Sequence, residues 1–392
     1  MKTQVCTIAL LSLALPLAGW LAPASFAQSA APAGGDKVEI GGQKVITLTR
    51  TPTSTTKPEF TSITLLPGRA LLIQQVTANF PGKGNVDVLA SPDLAGSKKL
   101  LEQDDDQYGN QAFRLGAAFL FPYPNRMRGK LSADGKIIDT EWQGKALHLP
   151  ASWHGSLPTA EVNSMHGLIL KRAIDEVSVK EIPGGQEVTG IIHGGDFGGH
   201  WLSKTDLVIK IALRADAIDV SMTAKNVGTE AEPVAFAWHP YFNIPSGDRT
   251  QARLVLPAGN VAEVDNYDNV FPTGKLDPVA GSKFDFNGET GMALGDLFMD
   301  DNFGDLKQPG GVMTVKVIDP KAKYGVAIEG LSHNIKAIQV YAPPTKNFIA
   351  IEHQTIMNDP LGKQWGKLDT GLITVEPGKT ADWHVRLKVF VP

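Results

Sequence analysis

The residues best suited to proton transfer lie in two short stretches far apart in the chain. In Ala237-Trp238-His239-Pro240-Tyr241-Phe242-Asn243-Ile244 a histidine stands among aromatic residues. The proline after it fixes its own φ and biases His239 toward extended backbone. An imidazole that titrates near neutral pH, held on stiff backbone, suits general acid–base work. In Asn347-Phe348-Ile349-Ala350-Ile351-Glu352-His353-Gln354, Glu352 closes the apolar run Phe348 to Ile351. Partial burial there would raise its pKa toward the working range of a base. Each residue alone also fits an ordinary role, as a core histidine bonded to a carbonyl or a strand-end glutamate reaching solvent.

Three further stretches carry polar groups that could hold several hydroxyls. After Phe121-Pro122-Tyr123-Pro124, Asn125 and Arg126 present an amide and a planar guanidinium. In Asn163-Ser164-Met165-His166-Gly167 a glycine beside His166 lets backbone or ligand approach closely. In Phe298-Met299-Asp300-Asp301-Asn302-Phe303 two carboxylates sit between aromatic residues. One could grip a pair of vicinal hydroxyls, the other being a turn residue.

The elements that must position these groups read as strands. Ile209, Ile211 and Leu213 alternate with Lys210, Ala212 and Arg214, and Ile218, Val220, Met222 and Ala224 alternate with Asp219, Ser221, Thr223 and Lys225. Ala215-Asp216-Ala217 is the expected hairpin turn between them. Thr314 to Ile318 and Gly325 to Ile328 repeat the pattern, and the chain ends on Val385, Leu387, Val389 and Val391 in alternation. Val234-Ala235-Phe236 is expected to be the buried strand at whose end His239 stands. No amphipathic helix longer than about three turns is apparent. Forty glycines and 26 prolines agree with many turns between short strands. The expected fold is all-β, an antiparallel sandwich in a single domain over residues 38–392. Thr51 to Lys57 and Glu102 to Gln107 read as polar loops inside it.

The chain begins as an export signal does. Lys2 precedes an apolar run from Val5 to Trp20, and Ala24-Ser25-Phe26-Ala27 offers small residues at a cleavage site. Residues 1–27 are therefore expected to be a cleaved signal peptide, and 28–37 a flexible linker. The single cysteine, Cys6, falls inside that signal, so the mature chain has no disulfide to rely on. A periplasmic or secreted protein is expected, off the membrane once the signal is cleaved. A net charge of −4 gives no support to nucleic-acid binding.

Taken together, these stretches resemble the aldose 1-epimerase (galactose mutarotase) family. His239-Pro240-Tyr241-Phe242-Asn243 is similar to its most recognisable motif, Pro124-Asn125-Arg126-Met127 to its Asn-Arg-aliphatic signature, and His166-Gly167 to its His-Gly. Phe271-Pro272-Thr273-Gly274, Phe284-Asp285-Phe286, Gln339-Val340-Tyr341, the stretch ending at Gln354, and Pro377-Gly378 follow in the family's order. The resemblance implies a β-supersandwich, with Glu352 as general base and His239 as general acid. It implies sugar contacts from Asn125, Arg126, His166, Asp300 and Gln339, with Asp300 preferred to Asp301 because the family's acid lies three residues before a phenylalanine, here Phe303. It implies a small-molecule aldose as substrate, no cofactor and no metal, with a monomer or dimer expected. Departures are Leu168 where the family often has a second glycine, a short link between Gln339 and Glu352, and a weak match over Val38 to Tyr123.

Other chemistries find less support. Gly194-Gly195-Asp196-Phe197-Gly198-Gly199-His200 lacks the phosphate-loop lysine and reads as a long hairpin loop. His193 and His200 have no third zinc ligand at suitable spacing. Trp201 is a candidate sugar-stacking platform, and the acid run 104–106 a solvated loop rather than a calcium site. Two rival functions are a non-catalytic carbohydrate-binding or sensing protein on the same scaffold, and a mutarotase of a modified or phosphorylated hexose.

Overall fold

The computed structural model describes residues 38–392. The expected signal peptide and the whole of the expected linker lie outside the described residues. Alternation of apolar and polar side chains produces two large antiparallel sheets that pack face to face. The larger has eleven strands in the order Pro272–Pro278, Asn260–Val264, Met299–Gly304, Ala337–Ala342, Phe348–Gln354, Ala237–Asn243, Ala117–Leu120, Leu72–Phe80, Glu59–Leu66 and Ile46–Thr49, with Gly84–Asp87 also paired to Leu72–Phe80. The second has nine: Glu176–Ile182, Gly185–Gly195, Thr205–Leu213, Ile218–Asn226, Thr380–Phe390, Tyr324–Gly330, Met313–Asp319, Arg253–Val255 and Met292–Ala293. Among the described residues the only α-helix is Leu94–Leu101, capped by Asp93, whose side chain accepts from the Gly96 amide.

The core lies between the sheets. Ile209, Ile211, Val220, Met222, Trp383, Val385, Val326 and Ile328 face it from one side, and Phe119, Trp238, Phe242, Ile338, Val340, Ile349 and Ile351 from the other. Each such side chain stabilises the fold by roughly 1.5–3 kcal/mol, which fixes the strand register. A slip of one residue in Phe348–Gln354 would expose Ile349 and Ile351 and drive Glu352 into the core. The same parity turns His239, Tyr241, Gln339, Tyr341, Glu352 and Gln354 to the opposite, outer face.

Two expectations about strand ends are corrected. His239 lies in the middle of Ala237–Asn243, and Glu352 lies inside Phe348–Gln354. Pro240 is tolerated because pairing changes sides there. Residues 237–240 pair with 117–120, and 241–243 pair with 348–350 across the other edge. The expected hairpin at 215–217 joins Ile218 to Leu213 in register.

Candidate active site

Strand register gathers the centre of the site. Asn302 is paired with Gln339, and Gln339 with Glu352, so three strands set a polar row across the outer face of the eleven-stranded sheet. The next strand brings His239, whose Nε2 lies 3.1 Å from Glu352 Oε1. Both residues are almost fully buried. Gln354, two residues on from Glu352 and on the same face, donates through Nε2 to Glu352 Oε2 at 3.0 Å.

The remaining residues anticipated from sequence form a linked set beside this pair. Arg126 donates to Asn125 Oδ1 at 3.0 Å and to Asp300 Oδ2 at 3.2 Å. Asn125 Nδ2 donates to Gln339 Oε1 at 2.9 Å, and Gln339 Nε2 to Asp300 Oδ1 at 2.7 Å. Asn302 Nδ2 also donates to Gln339 Oε1, at 3.1 Å. Arg126 Nε, Asn302 Oδ1 and Gln354 Oε1 are buried without a hydrogen-bond partner in the protein. Asp301 has the opposite parity and accepts from the Tyr267 hydroxyl at 3.0 Å, so Asp300 is the acid that belongs to the set. Burial pushes the Asp301 carboxyl up to about 6, opposed by the Tyr267 hydrogen bond.

His166 closes the site from a separate segment. Ser164–Met165 pairs with Arg126–Met127, and one step beyond that ladder both Asn125 (φ 57°) and His166 (φ 60°) take left-handed backbone. For residues other than glycine this conformation is strained and is held only by its surroundings. Here each holds the other. The His166 amide donates to the Asn125 carbonyl at 2.8 Å, and the Asn125 amide donates to His166 Nδ1 at 3.2 Å. With Nδ1 accepting, the proton of a neutral His166 sits on Nε2. Burial, with His239 and Arg126 nearby, holds its pKa well below the usual histidine value. The His166 and His239 rings are perpendicular with centroids 5.2 Å apart, and Phe113 packs on both, at 4.6 and 6.1 Å. Gly167 is required next to this turn. Its φ is +81°, and a Cβ there would lie 2.3 Å from the Phe121 carbonyl oxygen. Leu168, which stands where the family often has a second glycine, donates its amide to that same carbonyl at 2.8 Å.

Burial sets the proton affinities of the central pair in opposite directions. It pushes the Glu352 carboxyl up to about 8, with Asp300 adding to the rise and Gln354 and Arg126 opposing it. It takes the His239 imidazole down to about 4, with Arg126 contributing. At neutral pH the pair therefore holds one proton between Oε1 and Nε2. Either tautomer supplies one donor and one acceptor, which acid–base chemistry requires.

All seven residues anticipated from sequence meet here. Asn302 and Gln354 were not anticipated, although each lies two residues from a chosen acid on the same strand. Phe113 left no signal, because it comes from the 3-10 turn Asn110–Arg114, remote in sequence. Trp201 is corrected: it is buried and stacked on Tyr123 at 5.6 Å, not presented as a platform. His193 contacts Asp206 and Glu176, whereas His200 contacts the His148 carbonyl, so the two do not share a site.

Comparison with known proteins follows the same lines. The model of the aldose 1-epimerase family matches residues 84–388. A galactose mutarotase-like protein from Clostridium acetobutylicum superposes with a TM-score of 0.67 at 18% identity, over 84% of this chain and 93% of that one. An aldose epimerase homologue from C. elegans gives a TM-score of 0.65 at 16% identity, over 88% and 99%. Galactose 1-epimerase from Lactobacillus acidophilus NCFM gives 0.60 at 14%, over 88% and 98%. A search of curated proteins finds no match. With its β-supersandwich and a family match running from residue 84 almost to the last strand, this chain belongs to the aldose 1-epimerase family.

Proposed function

We propose that the chain is a mutarotase, interconverting the α and β anomers of a free aldose. The observation that carries this reading is the 3.1 Å contact between His239 Nε2 and Glu352 Oε1, buried beside four groups able to bind hydroxyls. A binding protein needs no such coupled donor and acceptor. In the proposed reaction Glu352 as carboxylate takes the proton from the anomeric hydroxyl. His239 as imidazolium gives one to the ring oxygen, and the bond from the anomeric carbon to that ring oxygen breaks as the anomeric C–O becomes the aldehyde C=O. The open aldehyde turns about the next carbon–carbon bond and recloses with the roles exchanged. Transfer of the shared proton from Oε1 to Nε2 reaches this reactive form without changing the pair's charge.

Asn125, Arg126, Asp300 and Gln339 hold the hydroxyls, and His166 donates from Nε2. Each proton transfer is worth a factor of roughly 10²–10⁴, ample for a reaction that proceeds slowly in water by itself. The test is polarimetry across glucose, galactose, xylose and arabinose. Glu352→Gln and His239→Asn should each slow anomer equilibration by at least about a hundredfold. Near wild-type turnover in either variant rejects the assignment. Export to the periplasm or medium is part of the proposal, and N-terminal sequencing of the mature protein, expected to begin at Gln28, tests it.

A further inference from the structure

The last strand of a sheet has backbone amides and carbonyls that no strand pairs, and proteins usually blunt such edges. Three of the four ends of the two large sheets are blunted. Pro272–Pro278 carries a proline at each end, with Lys275 held by Glu263 and Asp277 between them. Met292–Ala293 is only two residues long. Ile46–Thr49 has four, and its Thr49 amide donates to the Gln186 side chain of the other sheet at 2.9 Å. The fourth, Glu176–Ile182, is left open. It has seven residues without glycine, proline or a bulge, and among the described residues only its neighbour Gly185–Gly195 bonds its backbone.

The side chains of this strand are as open as its backbone. All but Ile182 are exposed, Val177 by 44% and Val179 by 46%. Their register partners are Gly190 and the core residue Val188, so both valines lie on the core side of the sheet. The eleven-stranded sheet stops short of them, and a groove of about 390 Å³ opens between Val179 and the segment from Lys44 to Leu48. The nine-stranded sheet thus overhangs its core by one strand. An apolar overhang with a free hydrogen-bonding edge calls for another strand to pair with it.

We infer that Glu176–Ile182 is a dimerisation edge, which pairs antiparallel with the same strand of a second copy of this chain about a two-fold axis at Ser178. The strand's own sequence selects both partner and register. With the axis there, Val177 meets Val179 of the second copy and Glu176 meets its Lys180, and by symmetry each contact forms twice. The four valines make one apolar strip on the core side, and carboxylate pairs with ammonium on the other face. The Glu176 and Lys180 side chains are 66% and 64% exposed, and their present neighbours, His193 and Glu187, lie on the adjoining strand of the same chain. Glu181 and Asp175, which meet at the ends, already have donors within the chain, the Gln186 side chain at 2.6 Å and the His193 amide at 2.7 Å. An axis at Val179 instead sets Val177 against Glu181 and Glu176 against Ile182, and loses both matches. Pairing at Ser178 joins the two nine-stranded sheets into one and removes the open edge from both copies.

The dimer is independent of the mutarotase reading, since none of these residues belongs to the candidate active site. The test is sedimentation velocity of the purified protein over a dilution series, in which the wild type should be a dimer at micromolar concentration. Glu176→Lys or Lys180→Glu alone sets like charges against each other twice across the axis, and should weaken the dimer about tenfold or more. The two substitutions together restore opposite charges and should bring dissociation back to that of the wild type. Val179→Lys should leave a monomer, and thermal melting checks that each variant remains folded, as these exposed positions allow. A wild type that stays monomeric overturns the inference. So does a dimer that neither single reversal nor Val179→Lys weakens, and so does a double reversal that dimerises no better than the single ones.

Discussion

Replacing Gln354 with methionine probes the proton chemistry through one hydrogen bond. Gln354 Nε2 donates to Glu352 Oε2 at 3.0 Å, and both side chains are buried. A donor to a carboxylate stabilises its charged form, so this amide holds Glu352 down against the burial that pushes it to about 8. A hydrogen bond to a charged group is worth about 1.5–3 kcal/mol, and one pKa unit corresponds to about 1.4 kcal/mol. Loss of the donor should therefore raise the Glu352 pKa by about one unit or more. Methionine is close in length and shape and brings no donor. The assay is kcat/KM against pH by polarimetry, with the uncatalysed rate subtracted at each pH. In the wild type the one-proton pair should give a bell. Activity falls below about 4 as His239 gains a proton and the base is lost, and above about 8 as Glu352 loses its proton and the acid is lost. In Gln354→Met the alkaline limb should move to about 9 or beyond, with the acid limb unmoved. An alkaline limb that stays in place, or moves to lower pH, refutes the reasoning.

Other predictions follow from single contacts. Asp300→Asn keeps an acceptor for Gln339 but leaves the Arg126 guanidinium, 8% exposed, without its carboxylate. kcat/KM should fall on the order of a hundredfold, with calorimetry checking that the variant remains folded. Gly167→Ala puts a side chain 2.3 Å from the Phe121 carbonyl oxygen at a φ of +81°, and thermal melting should show a loss of about 3 kcal/mol or more. Glu232 is fully buried, and both its oxygens contact only the Thr205 hydroxyl, at 2.9 and 2.8 Å. Burial raises it from 4.5 to about 7, so the folded state binds this proton more tightly than the unfolded one does. Its contribution is greatest below about pH 4.5 and is lost as pH rises through about 7, on the order of 2 kcal/mol after allowance for residual hydration. Glu232→Gln should flatten that part of the melting-temperature profile, and an unchanged slope rejects the assignment.

Much of the site was legible because its residues sit in short stretches whose local chemistry is unusual for a core. His239 beside Pro240, the Asn125-Arg126 pair and Glu352 within an apolar run each announce a cost that structure or function must offset. The strands around Ile209 and Val220 were legible for a different reason, since one face of each is core and the other polar. Glu59–Leu66 hid its alternation because both faces are covered, and every residue in it is buried. It belongs to the segment before residue 84, outside the family match, where resemblance was weakest. The polar row of Asn302, Gln339 and Glu352 was beyond local reading, because it exists only once three strands are paired. The apolar run Val234-Ala235-Phe236 reads as a buried strand that ends at His239, which puts the histidine at a strand end. Here the switch of partners at Pro240 allows a proline, and a site, in the middle of a sheet.

The bridge between Arg126 and Asp300 has a consequence for the working conditions of the pocket. Guanidinium and carboxylate cancel, and the single proton shared by Glu352 and His239 leaves that pair electrically neutral, so an uncharged sugar enters an enclosure of zero net charge. Affinity and turnover should then be nearly indifferent to ionic strength.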